Sequence, residues 1–101
     1  MKIILKDKEY NVKITLRSYF YFESATNHPF EIKTLMDNYI WMYSMIKANN
    51  DCDLTIDEFI DILDEDPTKI NELNEIVKIE SEKYSLLVNK KDDSKGDTEG
   101  N

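Results

Sequence analysis

Apolar positions alternate with polar ones at the start of the chain and then settle into helical spacing. Ile3 and Leu5, then Tyr10, Val12 and Ile14, recur at every second residue around the polar run Lys6-Asp7-Lys8-Glu9. This predicts a β-hairpin over 2–14 with its turn near Asp7-Lys8, although the Asn-Gly pair typical of two-residue turns is absent. A lone two-stranded hairpin is marginal in water, so its apolar side must lie on helices or its edge must pair with another chain.

Thr15 is placed to cap a helix over 16–27, which carries the consecutive aromatics Tyr19, Phe20, Tyr21 and Phe22. Phe20 falls near Leu16 on a helical wheel, whereas Phe22 and Tyr19 lie on the neighbouring side, so this helix is expected to be largely enclosed. Asn27-His28-Pro29 ends it: Asn tolerates left-handed geometry, and a residue before proline is pushed out of the helical region. Phe30 and Ile32 anchor the connection.

The next helix, over 34–49, begins with Thr34 as N-cap and Asp37 three residues on. Leu35, Met36, Tyr39, Ile40, Met42, Tyr43 and Ile46 occupy one broad side, while Trp41, Met45 and Ala48 gather on another. A surface helix needs only one apolar side. The second face either packs against the rest of the bundle, or forms an adaptable groove in which methionine and tryptophan capture an apolar helix.

Thr55-Ile56-Asp57-Glu58 is a full capping box for a helix over 55–64, apolar at Ile56, Phe59, Ile60 and Leu63 and acidic on the opposite, solvated side. Asp66 as cap and Pro67 at the first helical position start a last helix over 67–88. Its stripe is Ile70, Leu73, Ile76, Val77, Tyr84, Leu87 and Val88, which leaves Ile79 and Leu86 on the far side, as incidental exposure or as an oligomer contact. Residues 89–101 contain no apolar side chain, so nothing offsets the entropy of ordering them and a disordered polar tail is expected. The pattern as a whole predicts an α+β domain over 1–88: an N-terminal hairpin followed by a small bundle of about four helices.

Charge changes this picture in one place. The chain has 21 acids against 13 bases, and the eight acids between Asp51 and Asp66 are joined by no Lys or Arg, so the remaining 13 acids balance the 13 bases. A phosphate backbone would be repelled by that segment, and no basic stripe compensates, which argues against nucleic-acid binding. No apolar run reaches the roughly 20 residues needed to span a bilayer, and residues 1–5 are too short for a signal-peptide core, which points to a cytoplasmic protein that binds no membrane. Cys52, the single cysteine, has no second thiol for a disulfide or a redox pair.

No catalytic, cofactor or metal signature emerges. The run Asp51 to Phe59 resembles a calcium loop only superficially. Counted from Asp51, the sixth residue is Ile56 instead of Gly and the twelfth is Ile62 instead of Glu. His28 sits in a helix-ending loop with no spacing to a nucleophile, and both glycines, Gly96 and Gly100, lie in the tail, so no glycine loop cradles a phosphate. The chain is therefore read as a non-enzymatic interaction protein.

One resemblance gives that reading a direction. The hairpin, Arg17 followed by aromatics and Phe22-Glu23, Thr26 and Phe30, an apolar helix, then Leu54-Thr55-Ile56-Asp57-Glu58-Phe59 and Ile62 to Pro67 together resemble the tail assembly chaperones of long-tailed phages and prophages. The likeness covers roughly residues 1–80; Asn27 stands where such sequences commonly have Gly. It implies a cytoplasmic protein, outside the mature virion, that keeps the tape-measure protein soluble and helps recruit tail-tube subunits, acting alone or as a homo-oligomer. It also implies a longer form made by ribosomal frameshifting near the end of the reading frame, with which Lys90-Lys91 is compatible. The partner-binding residues expected on this reading are Trp41, Met45, Ala48, Ile79 and Leu86. Two other readings use different surfaces: an adaptor whose hairpin edge augments a partner's sheet, and an acidic protein whose 51–66 cluster occupies a basic groove.

Overall fold

The computed structural model describes residues 1–99, with side chains through residue 85. Its order is β1 (Lys2–Leu5), β2 (Lys8–Asn11), α1 (Leu16–Thr26), α2 (Leu35–Lys47), α3 (Ile56–Glu65) and α4 (Thr68–Glu99), an α+β arrangement of one antiparallel hairpin and four helices. The tail expected over 89–101 lies outside the residues described with side chains.

In the hairpin Ile3 pairs with Tyr10 and Leu5 with Lys8. Met1 and Val12 lengthen the ladder by exchanging hydrogen bonds, the Met1 amine to the Val12 carbonyl at 3.0 Å and the Val12 N–H to the Met1 carbonyl at 2.6 Å. The turn is Lys6-Asp7, one residue earlier than expected, and both residues have positive φ, 49° and 67°. Two-residue hairpin turns of this hand match the twist of the strands. Hydrophobic alternation cannot separate the two turn positions, because either one leaves Ile3, Leu5, Tyr10 and Val12 on the same face.

All four helix starts are local in origin. Thr15 and Ser18, Thr34 and Asp37, and Thr55 and Glu58 form reciprocal capping boxes, and Asp66 accepts the Thr68 N–H at 3.2 Å at the start of α4. Asn27 ends α1 in the left-handed conformation, φ 62°, with its N–H on the Glu23 carbonyl.

One core joins every element. Ile3, Leu5, Val12 and Ile14 from the hairpin segment meet Met42, Met45 and Ile46 of α2, Phe59 and Leu63 of α3, and Leu73 and Ile76 of α4. The C-terminal end of α2 also grips the hairpin through side-chain amides. Asn50 exchanges hydrogen bonds with the Asn11 backbone, 3.0 Å from its N–H and 2.8 Å to its carbonyl, and Asn49 donates to the Lys13 carbonyl at 2.8 Å. The outer edge of β2 is thus partly occupied from within the chain, which leaves less of it for a partner's strand. On α4 the stripe runs through Leu73, Ile76 and Glu80; the buried Glu80 carboxylate lies 3.8 Å from the N-terminal amine and 3.4 Å from Lys83.

α1 departs from the expectation of near-complete enclosure. Only Ser18 and Phe22 are buried along it, whereas Leu16, Phe20 and Tyr21 are exposed. Four adjacent rings cannot share one face at about 100° per residue, and among the described residues nothing covers Leu16 and Phe20.

Lys disfavours the left-handed region and Asp tolerates it less readily than Gly, which makes the hairpin turn a site for stabilisation. Lys6→Asn with Asp7→Gly should raise stability by about 1 kcal/mol, read as a rise of roughly 4–8 °C in the melting midpoint. An unchanged or lower midpoint would place the turn's limiting strain elsewhere.

Candidate functional site

The face expected to bind a partner is the centre of the core. Trp41 is 3% exposed and Met45 0%. The indole packs against Phe30 at 4.6 Å between ring centroids, Tyr19 at 4.9 Å and Phe22 at 6.1 Å, and Tyr19 in turn lies 5.8 Å from Tyr84 of α4. Both residues are therefore corrected from surface to core: the aromatic side of α1 and the loop after it close over Trp41, and Met45 lies within the common core. Ala48 is half-buried as the C-cap of α2, Ile79 is half-buried on α4, and the Leu86 side chain lies outside the described residues. The five expected residues do not form one surface.

Other apolar side chains are at the surface. Leu35 and Met36 are 74% and 70% exposed in the first turn of α2, and Leu16 and Phe20 are 64% and 58% exposed one turn apart on α1. Ile32 is exposed in the connection as well. The sequence signal for them was the two-sided wheel of α1 and the adjacent pair Leu35-Met36, which sits at a helix start where side chains point past the preceding loop. Single exposed apolar residues are ordinary; several of this size on a chain this short are less so.

The connection between α1 and α2 is held by charge. Asp37 accepts hydrogen bonds from the Lys33 and Thr34 N–H groups at 3.0 and 3.2 Å, and the His28 Nε2 lies 3.4 Å from its other oxygen. The Lys33 N–H foremost, then the Thr34 N–H and His28, hold the Asp37 carboxyl below the usual range against the opposing effect of burial. His28 is occupied in a structural contact, its Nδ1 lying 2.7 Å from the Pro29 carbonyl.

The acidic segment folds into α3 and the loop before it, and the hairpin reaches across to it. Between them lies a cleft of about 390 Å³ floored by Leu5, Tyr10, Leu54 and Ile62, with Asp53, Glu58, Asp61 and Glu65 on its rim beside Lys6 and Lys8. Lys6 pairs with Glu65 at 3.7 Å. Glu58 is held below its ordinary value chiefly by the Thr55 N–H, with the Thr55 hydroxyl, Lys8 and Lys6 adding to the effect. The acid-only face of α3 is thus partly answered by two lysines from the hairpin turn, a long-range contact that helical periodicity could not reveal.

Among the described residues no group of three or more His, Cys, Asp or Glu side chains converges as a metal site, and no helix is long and apolar enough to cross a membrane. Cys52 is free and half-buried. No protein-family model, curated protein or solved structure matches the chain.

Asp37 and Glu58 both have folded values below their ordinary ones of 3.8 and 4.5. Their stabilisation is therefore fully present above those ordinary values and is lost as pH falls through the lower folded values. Urea midpoints should be flat from neutral pH down to about 5 and fall at more acid pH, and Asp37→Asn with Glu58→Gln should lower the neutral-pH midpoint while shrinking the acid-induced drop. An acid-induced drop of full size in the double variant would show that other carboxylates carry it.

Proposed function

We propose that this protein is a tail assembly chaperone of a long-tailed phage or prophage, working in the host cytoplasm and absent from the mature particle. It binds apolar helices of the tape-measure protein, keeps them soluble and assists addition of tail-tube subunits around them. The observation that carries this reading is the set of large apolar side chains left exposed at Leu16, Phe20, Leu35 and Met36 on an otherwise acidic chain of net charge −8. Apolar contacts supply attraction for an aggregation-prone helix, and a strong net charge keeps the resulting complex dispersed. The order of hairpin, aromatic helix, apolar helix and capped acidic helix supports the same reading through its likeness to that family.

The binding surface is moved from Trp41 and Met45 to the exposed residues of α1 and the start of α2. Methionine and phenylalanine suit the role because flexible and broad apolar side chains adapt to more than one helix sequence.

Co-expression with a tape-measure protein should raise the soluble fraction of the latter several-fold. Phe20→Glu with Met36→Glu should remove that effect while changing the protein's own stability by no more than about 0.5 kcal/mol, as expected for exposed sites. Trp41→Ala should instead lower stability by about 3–5 kcal/mol, so its loss of effect would follow from unfolding. Full solubilisation by the Phe20/Met36 variant would overturn the assigned surface, and no solubilisation by the wild-type protein would overturn the chaperone reading.

A further inference from the structure

We propose that the cleft between the hairpin and α3 receives a single basic side chain, arginine or lysine, presented by a partner protein. This surface is separate from the apolar residues of α1 and α2, and the inference does not rest on the chaperone reading.

Tyr10 carries the argument together with the charges around it. It is 7% exposed and lines the cleft, yet among the described residues its hydroxyl makes no hydrogen bond. Buried polar groups in folded proteins nearly always have a partner, so the unpartnered phenol of a residue in the cleft's lining is a group that an incoming donor or acceptor can complete. Burial, with smaller contributions from Cys52 and Glu58, pushes the Tyr10 phenol above its ordinary value of 10.0, so at neutral pH it is protonated and can both donate and accept.

The rim selects the sign of the ligand. Four carboxylates, from Asp53, Glu58, Asp61 and Glu65, face two ammonium groups, and the Lys6 charge is already engaged with Glu65. Asp53 and Asp61 have no ion pair or hydrogen bond among the described residues. A cation entering here meets unpaired negative charge, whereas a phosphate or carboxylate meets a net repulsion. The floor of Leu5, Leu54 and Ile62 suits the methylene stem of a long side chain, whose head then reaches the rim acids and the Tyr10 oxygen. A volume of about 390 Å³ lies at the small end of ligand-sized clefts, which fits one such side chain better than a folded segment. Arginine has the better geometry, since its planar fork presents several N–H donors at once.

The test uses the full chain, labelled with nitrogen-15 and titrated with N-acetyl-arginine methylamide, with the uncharged N-acetyl-citrulline methylamide as its isostere. Saturable amide shifts are expected at Leu5, Tyr10, Leu54 and Ile62 with the arginine probe and not with citrulline. Tyr10→Phe should weaken binding about tenfold, the effect of losing one hydrogen bond to a charged group, with an unchanged melting midpoint. Asp53→Asn with Asp61→Asn should weaken it similarly, whereas Asp57→Asn, outside the cleft, should not. Equal shifts with citrulline, no saturable shifts, or equal loss on Asp57→Asn would each overturn the proposal. So would a Tyr10→Phe protein that melts several degrees lower, because its hydroxyl would then be a structural group.

Discussion

Closure of aromatic side chains over Trp41 is the contact on which the rest of the structure depends. α2 contributes Trp41, Met42, Met45 and Ile46 to the core, so it must be covered on more than one side. The hairpin, α3 and α4 join the same core around it, while Tyr19, Phe22 and Phe30 seal the indole. Through Tyr19 the seal reaches Tyr84, so the first and last helices meet over the middle one. A chain of this length has little apolar surface with which to build a core, and the largest ring in the sequence is spent at its centre.

Polar groups divide into two kinds of work. Those that start helices act within three residues: each Thr of the capping boxes satisfies donors that the helix would otherwise leave unpaired, and each does so without help from elsewhere in the chain. Those that fix the relative placement of elements act at long range. Asn49 and Asn50 tie the end of α2 to the strand edge, and Glu80 receives the N-terminal amine beside α4. The asparagine pair also has a consequence for partners, since backbone groups of Asn11 that an incoming strand would use are already bonded.

Two surfaces of opposite chemistry remain. One is apolar and built from Leu16, Phe20, Leu35 and Met36; the other is acidic with an apolar floor and a buried phenol. A protein that associates with apolar helices gains attraction from the first, where area buried counts and precise geometry counts less. The second presents the exposed carboxylates of Asp53, Glu58, Asp61 and Glu65 around an apolar floor, an arrangement that favours positive over negative charge.

The succession of elements was legible in the residues because its causes are local. Alternation at Ile3, Leu5, Tyr10 and Val12, Thr as the cap of α1, α2 and α3, Asn27 as a left-handed stop and Asp66-Pro67 as a start all act within a few positions, so a linear reading captures them. What stayed hidden depends on which surfaces meet. Hydrophobic alternation is blind to a turn shifted from Asp7-Lys8 to Lys6-Asp7, since both keep the same residues facing inward. A wheel shows that α2 has two apolar sides and α1 has two aromatic ones, but it cannot say which side finds a partner. Tertiary packing decided that Trp41 and Met45 go inside and Phe20 and Met36 stay outside, because covering one face of each helix with the other leaves the remaining faces to whatever the hairpin, α3 and α4 can reach.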